Sequence, residues 1–93
     1  MTLMRVLLLV SQQVKDYDEW KAQYLGNHRM REEAGLIERF VGQDAKKLNV
    51  AHVGLEAPSL EAANRFLSNP ALLTVMSAAG VANAPDIRFV FLD

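Results

Sequence analysis

Five consecutive apolar residues, Val6–Val10, show no polar–apolar alternation. A strand with one wet face alternates with a period of two, so a strand spanning Met4–Val14 with this content is covered on both faces. The closing stretch Asp86–Leu92 makes the same demand. Ile87, Phe89 and Phe91 share one face, while Arg88, Val90 and Leu92 share the other. The chain has 93 residues, enough for a single domain over 1–93. A domain of this size buries only about 60–65% of its unfolded surface. Yet 51% of its residues are hydrophobic, an excess that points to apolar surface covered by another chain.

The remaining elements follow from caps and breakers. Asp16 and Glu19 form a capping-box-like pair, and Gly35 stands at a helix C′ position, which predicts one helix over Asp16–Gly35. Ile37–Gln43 and Leu48–Ala57 are strands joined by the polar hairpin Asp44-Ala45-Lys46-Lys47. Regular alternation groups Glu38, Phe40 and Gly42 on one face of the first, and Ile37, Arg39 and Val41 on the other. Pro58 ends the ladder and Ser59 caps a second helix, SLEAANRFL. That helix is interrupted at Asn69-Pro70, where Asn69 recaps a further segment, Pro70–Ala79. No charged residue occurs from Phe66 to Pro85, and Leu72, Leu73, Val75 and Met76 surround the segment, which predicts burial on more than one side.

The order β-α-β-β-α-β is a split βαβ unit: α+β, ferredoxin-like, a four-stranded antiparallel sheet with two helices on one face. The helices cover one face only, so the apolar second face predicts a homodimer with sheets packed face to face.

The first helix has an unusual buried stripe. At about 100° per residue, Tyr17, Trp20, Tyr24, His28 and Arg31 fall in one sector, where an ordinary core helix carries aliphatics. His28 is the candidate catalytic base, since an imidazole titrates near neutrality. Tyr24 can hydrogen-bond an oxyanion, Trp20 and Tyr17 can stack on a planar substrate, and Arg31 can pair with a carboxylate or enolate. Gln12 and Gln13 point to opposite faces, and Gln12 is assigned to the site. Leu72 and Met76 supply the facing wall. The same stripe also suits a core with polar tips at its rim. His52, mid-strand, is expected to be a hydrogen-bonded core residue.

The residues VKDYDEWKAQY, NHRMREEAGL, SLEAANRFLSNPAL, AAGV and PDIRFVFLD together resemble the dimeric α+β barrel superfamily. The resemblance lies near its small members related to antibiotic-biosynthesis monooxygenases and polyketide cyclases. It covers nearly the whole chain in element order and length. It implies a cavity between sheet and helices in each subunit, with Tyr17, Trp20, Tyr24 and His28 beside it. The family spans oxygenation without a cofactor, ring closure, isomerisation, haem degradation and proteins of no known activity. Here the polar-aromatic helix face beside an uncharged second helix points to cofactor-independent oxygenation or ring closure of an aromatic, polyketide-like or otherwise enolisable metabolite. Similar chains often carry charges in the Leu72–Ala79 segment, whereas this one has none.

Several classes are set aside. A net charge of −1 argues against a sequence-independent grip on nucleic acid. There is no cysteine, and two histidines without carboxylate partners at ligand spacing do not make a metal site. The second helix offers no axial histidine for haem. No window reaches the ~20 apolar residues of a membrane span, and the short run Val6–Val10 lacks a cleavage site, so a cytoplasmic protein is expected. Phosphate loops, a nucleophile elbow and HExxH are missing, and Ser11, Ser59, Ser68 and Ser77 have no activating sequence context. Three readings remain: a small-molecule enzyme, a non-catalytic binder of a hydrophobic metabolite, or a dimerisation module with the stripe packed shut.

Overall fold

The computed structural model describes residues 4–93. Met1, Thr2 and Leu3 lie outside the described residues. The elements are β1 (Val6–Gln13), α1 (Tyr17–Gly26), α2 (His28–Glu33), β2 (Ile37–Gln43), β3 (Val50–Ala57), α3 (Leu60–Leu67), α4 (Pro70–Ala78) and β4 (Asp86–Phe91). The four strands form one antiparallel sheet in the order β2-β3-β1-β4. This is the ferredoxin-like α+β architecture expected from the element order.

Register explains how the core forms. Leu8 pairs with Leu55 and Phe89, and Val10 with Val53 and Ile87, so the even-numbered residues of β1 share one face with the odd-numbered residues of β3 and β4. Onto that face pack Trp20 of α1, Leu36, and Ala63 and Phe66 of α3, around the fully buried Val6 and Leu8. Burying each large side chain is worth about 1.5–3 kcal/mol, which makes this layer the main source of stability. The opposite face carries Leu7, Leu9, Ile37, Phe40 and Val90, none of them buried. Nothing among the described residues buries them, so the apolar patterns of β1 and β4 are left without cover on this face.

The local signals work as physical chemistry requires. Asp16 accepts from the Glu19 amide (2.9 Å), Ser59 from Ala62 (3.1 Å) and Asn69 from Ala71 (3.0 Å). Gly35, at φ 78°, closes α2 with the Gly35→Glu32 and Leu36→Arg31 bonds of a Schellman turn. Asn49, at φ 59°, ends the β2–β3 hairpin. Its carbonyl accepts from the Val14 amide and its Oδ1 from the Tyr17 amide, both at 2.9 Å, which anchors the start of α1 to the hairpin.

Three expectations are corrected. The predicted single helix Asp16–Gly35 is two helices, broken at Asn27 (φ −100°, ψ 22°). The Asn27 side chain donates to the Gln23 carbonyl (2.8 Å) and so competes with continuation of the backbone ladder, next to a weak helix former in Gly26. In β2, a bulge between Glu38 and Phe40 shifts the alternation. Phe40 therefore leaves the face of Glu38 and joins Ile37 and Gly42, where its ring lies over Gly54 of β3; any Cβ at position 54 would run into that ring. Finally, α4 buries none of its residues, and Leu73 is 69% exposed. Only one flank of this uniformly apolar helix meets the rest of the chain.

Candidate functional site

A cavity of about 80 Å³ lies between sheet and helices. Val10 and Gln12 of β1 and Val53 and Leu55 of β3 form its floor. Trp20, Tyr24, Met30 and Arg31 form one wall, and Phe66, Leu72, Val75 and Met76 the other. Four predicted site residues are brought together as a stack along α1 and α2. The Tyr17 and Trp20 rings lie 5.7 Å apart and tilted, Trp20 and Tyr24 are stacked at 5.1 Å, and the Arg31 guanidinium sits 3.7 Å from the centre of the Tyr24 ring. Tyr17 packs against the core without lining the cavity. Gln12, Leu72 and Met76 line it, as do Trp20, Tyr24 and Arg31.

His28 is placed elsewhere. The break at Asn27 resets the helical phase, so its side chain is 61% exposed and Nδ1 lies 3.0 Å from Glu32 Oε1. Asn27 itself and Met30 take the wall positions that an unbroken helix would give to His28.

Two polar atoms of the cavity lining are buried without a partner among the described residues. Gln12, 7% exposed, presents Oε1 with no hydrogen-bond partner among the described residues, and the Tyr24 hydroxyl is in the same state. Arg31 is 9% exposed and forms no ion pair among the described residues. A buried charge without a counter-charge and buried polar atoms without partners each cost free energy. Burial pushes the Tyr24 phenol up to about 12, against the opposing pull of Arg31, and the negative charge of Glu38 raises it further. At neutral pH Tyr24 is therefore a hydrogen-bond donor. Together these groups offer a cation, a phenolic donor and an amide acceptor inside an apolar shell. Among the described residues, the lining holds no histidine and no carboxylate.

Sequence reasoning missed a second polar cluster. Ser11 is the cross-strand partner of His52. Ser11 Oγ lies 2.8 Å from His52 Nδ1, and His52 Nε2 lies 2.7 Å from Asp44 Oδ1. His52 and Gln13 both look to the face away from the helices, where Gln13 Oε1 accepts from Asn83 Nδ2 (2.9 Å). Only the β1–β3 register connects Ser11 with His52. The spacing in the chain carries no such signal.

No protein-family model matches the sequence, and no curated protein matches it. Solved structures do match. A Caulobacter crescentus CB15 protein assigned as an antibiotic biosynthesis monooxygenase superposes with a TM-score of 0.79 at 14% identity, covering 99% of this chain and 92% of that one. SnoaB, a cofactor-independent oxygenase from Streptomyces nogalater, superposes at 0.78 and 13% identity, covering 97% and 94%. A Nitrosomonas europaea protein with the same assignment as the first gives 0.65 at 12% identity, covering 98% and 92%. The chain has the fold of these proteins. At such identities the likeness establishes the ferredoxin-like α+β architecture, consistent with the resemblance noted from sequence, and leaves the reaction to the site. No helix among the described residues is long and apolar enough to cross a membrane.

Proposed function

We propose that the chain is a cofactor-independent monooxygenase or cyclase whose substrate is bound as a small planar phenolate or enolate in the helix–sheet cavity. The observation that carries this reading is Arg31, a nearly buried guanidinium without a counter-charge, beside an unpartnered Tyr24 hydroxyl. An anionic oxygen placed between them gains a charge-assisted bond and a phenolic donor in a water-poor site. Gln12 Oε1 then accepts from a second hydroxyl on the substrate, and Trp20 and the apolar walls hold its plane. The cavity supplies no base of its own, so the substrate must be acidic enough to ionise when Arg31 and Tyr24 stabilise its anion. His28 remains a proposed base only for a proton delivered at the surface. The anion then either attacks dioxygen or closes a ring, with orientation as the main catalytic contribution. The resemblance to SnoaB in fold makes oxygen the first co-substrate to test.

Two copies pairing through the face that carries Leu7, Leu9, Ile37, Phe40 and Val90 complete the proposal as a homodimer. A monomer at micromolar concentration in analytical ultracentrifugation would count against that part. For the site, the experiment is a thermal-shift screen with planar polyphenols followed by oxygen-uptake measurements on the hits. Arg31→Met and Gln12→Leu should each weaken the best ligand at least ~10-fold, the loss expected for a buried charged or neutral hydrogen bond. A hit whose affinity ignores both changes overturns the assignment. A non-catalytic metabolite binder is the second reading, favoured by the lack of a carboxylate or imidazole in the cavity lining. Tight binding without oxygen uptake or product would select it.

A further inference from the structure

The face of the sheet away from the helices carries chemistry that the cavity does not use. Asp44 Oδ2 accepts from the amides of Lys46 (2.9 Å) and Lys47 (2.8 Å), while Oδ1 meets His52 Nε2. The hydrogen bond from His52, with these two amides, holds the Asp44 carboxyl down at about 2. An ionised carboxylate only accepts, so Nε2 must carry the proton of the neutral imidazole. Nδ1 is then the ring's lone-pair nitrogen, and the Ser11 hydroxyl donates to it. The chain O–H···N, N–H···O⁻ is the arrangement that activates a serine, with the two ring nitrogens in exchanged positions. A groove of about 460 Å³ opens beside it, with Leu9, Phe40 and Gly42 among its walls. Asp86, opposite Ser11 on β4, is occupied with Arg88 at 3.6 Å.

We propose that Ser11, His52 and Asp44 form a nucleophilic relay that accepts the acyl group of a small apolar aryl ester or thioester. Ser11 Oγ bonds to the acyl carbon as its proton passes to His52 Nδ1. The bond from that carbon to the phenolic oxygen or thiol sulfur breaks, the leaving group keeps the electron pair, and the proton is returned to it. Water then repeats the sequence, releasing the carboxylic acid and restoring the serine. The acyl group lies beside Gly42, the cross-strand partner of His52, where the missing side chain leaves open space. Strand N–H groups lie in the plane of the sheet and are directed at neighbouring strands, so none projects off the face to receive an oxyanion. That restricts the relay to donors whose leaving group departs easily. The relay also stands at the hairpin end of the face, about 7 Å along β1 beyond Leu9, the nearest β1 residue of the apolar half. Pairing of two sheets through the apolar half leaves it at the rim.

The experiment uses the full chain with p-nitrophenyl acetate, following nitrophenolate release and mapping the acetyl group by peptide mass spectrometry. The expected result is one acetyl group, on Ser11. His52→Gln should lower that rate by at least ~10²-fold, and Asp44→Asn by at least ~10-fold. Ser11→Ala should remove the label while leaving ligand binding in the helix-side cavity intact. Acetylation confined to lysines, a rate unaffected by His52→Gln, or no acetylation at all overturns the proposal. Should Ser11→Ala fail to fold, the mapped position in the unmodified protein and the rate of His52→Gln still decide it.

Discussion

The two faces of the sheet solve the problem of polar groups in opposite ways. On the helix side, Gln12 Oε1 and the Tyr24 hydroxyl are buried without a partner among the described residues, and the nearly buried Arg31 forms no ion pair there. On the other side the main polar groups are joined to one another within the chain. Ser11, His52 and Asp44 close one chain of hydrogen bonds, and Arg5 and Arg39 both hold Glu56. There it is the apolar residues that lack cover. In the proposed function the first face recognises a molecule, and the second meets a surface while its polar geometry is fixed beforehand. β1 and β3 alternate between these tasks residue by residue.

The largest expected effect tests how unequal the faces are in packing. Trp20→Ala should cost about 3–5 kcal/mol in urea denaturation, as for other buried aromatics, whereas Phe40→Ala on the open face should cost about 1 kcal/mol. Equal losses would mean that the open face is as deeply covered as the core, and a dependence of the Phe40→Ala loss on protein concentration would assign the cover to a second copy. Gly54→Ala should cost about 1–3 kcal/mol, because the new methyl group displaces the Phe40 ring. The double change with Phe40→Ala should recover most of it.

Titration separates the faces without touching their packing. Asp44 falls from an ordinary 3.8 to about 2 in the fold. Its contribution is present above pH 3.8 and lost as the pH falls toward 2. Arg5 and Arg39 lower Glu56 in the same direction. Tyr24 rises from 10.0 to about 12, so its contribution is present below pH 10 and lost as the pH climbs toward 12. Asp44→Asn should make the acid limb of the stability profile shallower and leave the alkaline limb alone. Tyr24→Phe should do the reverse. The smallest effect belongs to the break in the stripe. Gly26 has open space around its missing Cβ, so Gly26→Ala should raise stability by up to about 1 kcal/mol without moving His28 into the cavity, since Asn27 keeps the break.

What was legible in the sequence was local. Asp16, Ser59, Asn69-Pro70 and Gly35 cap or interrupt helices through bonds to residues two to five positions away, and each acts where its type predicts. The order of elements then dictated the sheet. The failures have a common origin in competition between local and non-local bonding. Asn27 broke a periodic stripe because its side chain took a backbone carbonyl. The bulge at Arg39 moved Phe40 across the sheet, against a regular alternation. The meeting of Ser11 with His52 required the β1–β3 register, and with Asp44 the hairpin. Of the cavity, the wall Trp20–Tyr24–Arg31 could be read from helical spacing. The placement of His28 could not, because it depends on a single interrupted turn.

The α4 helix has a further consequence for kinetics. It forms one side of the site yet buries nothing, and it is bounded by Asn69-Pro70 at one end and Gly80 at the other. A planar ligand in the cavity lies directly against Leu72, Val75 and Met76, so its entry is coupled to the displacement of this lightly held helix. Observed association rates should then level off at high ligand concentration, at a ceiling common to ligands of different affinity. That ceiling is a property of the segment's opening, and amide hydrogen exchange along 70–80 reads it in the absence of any ligand.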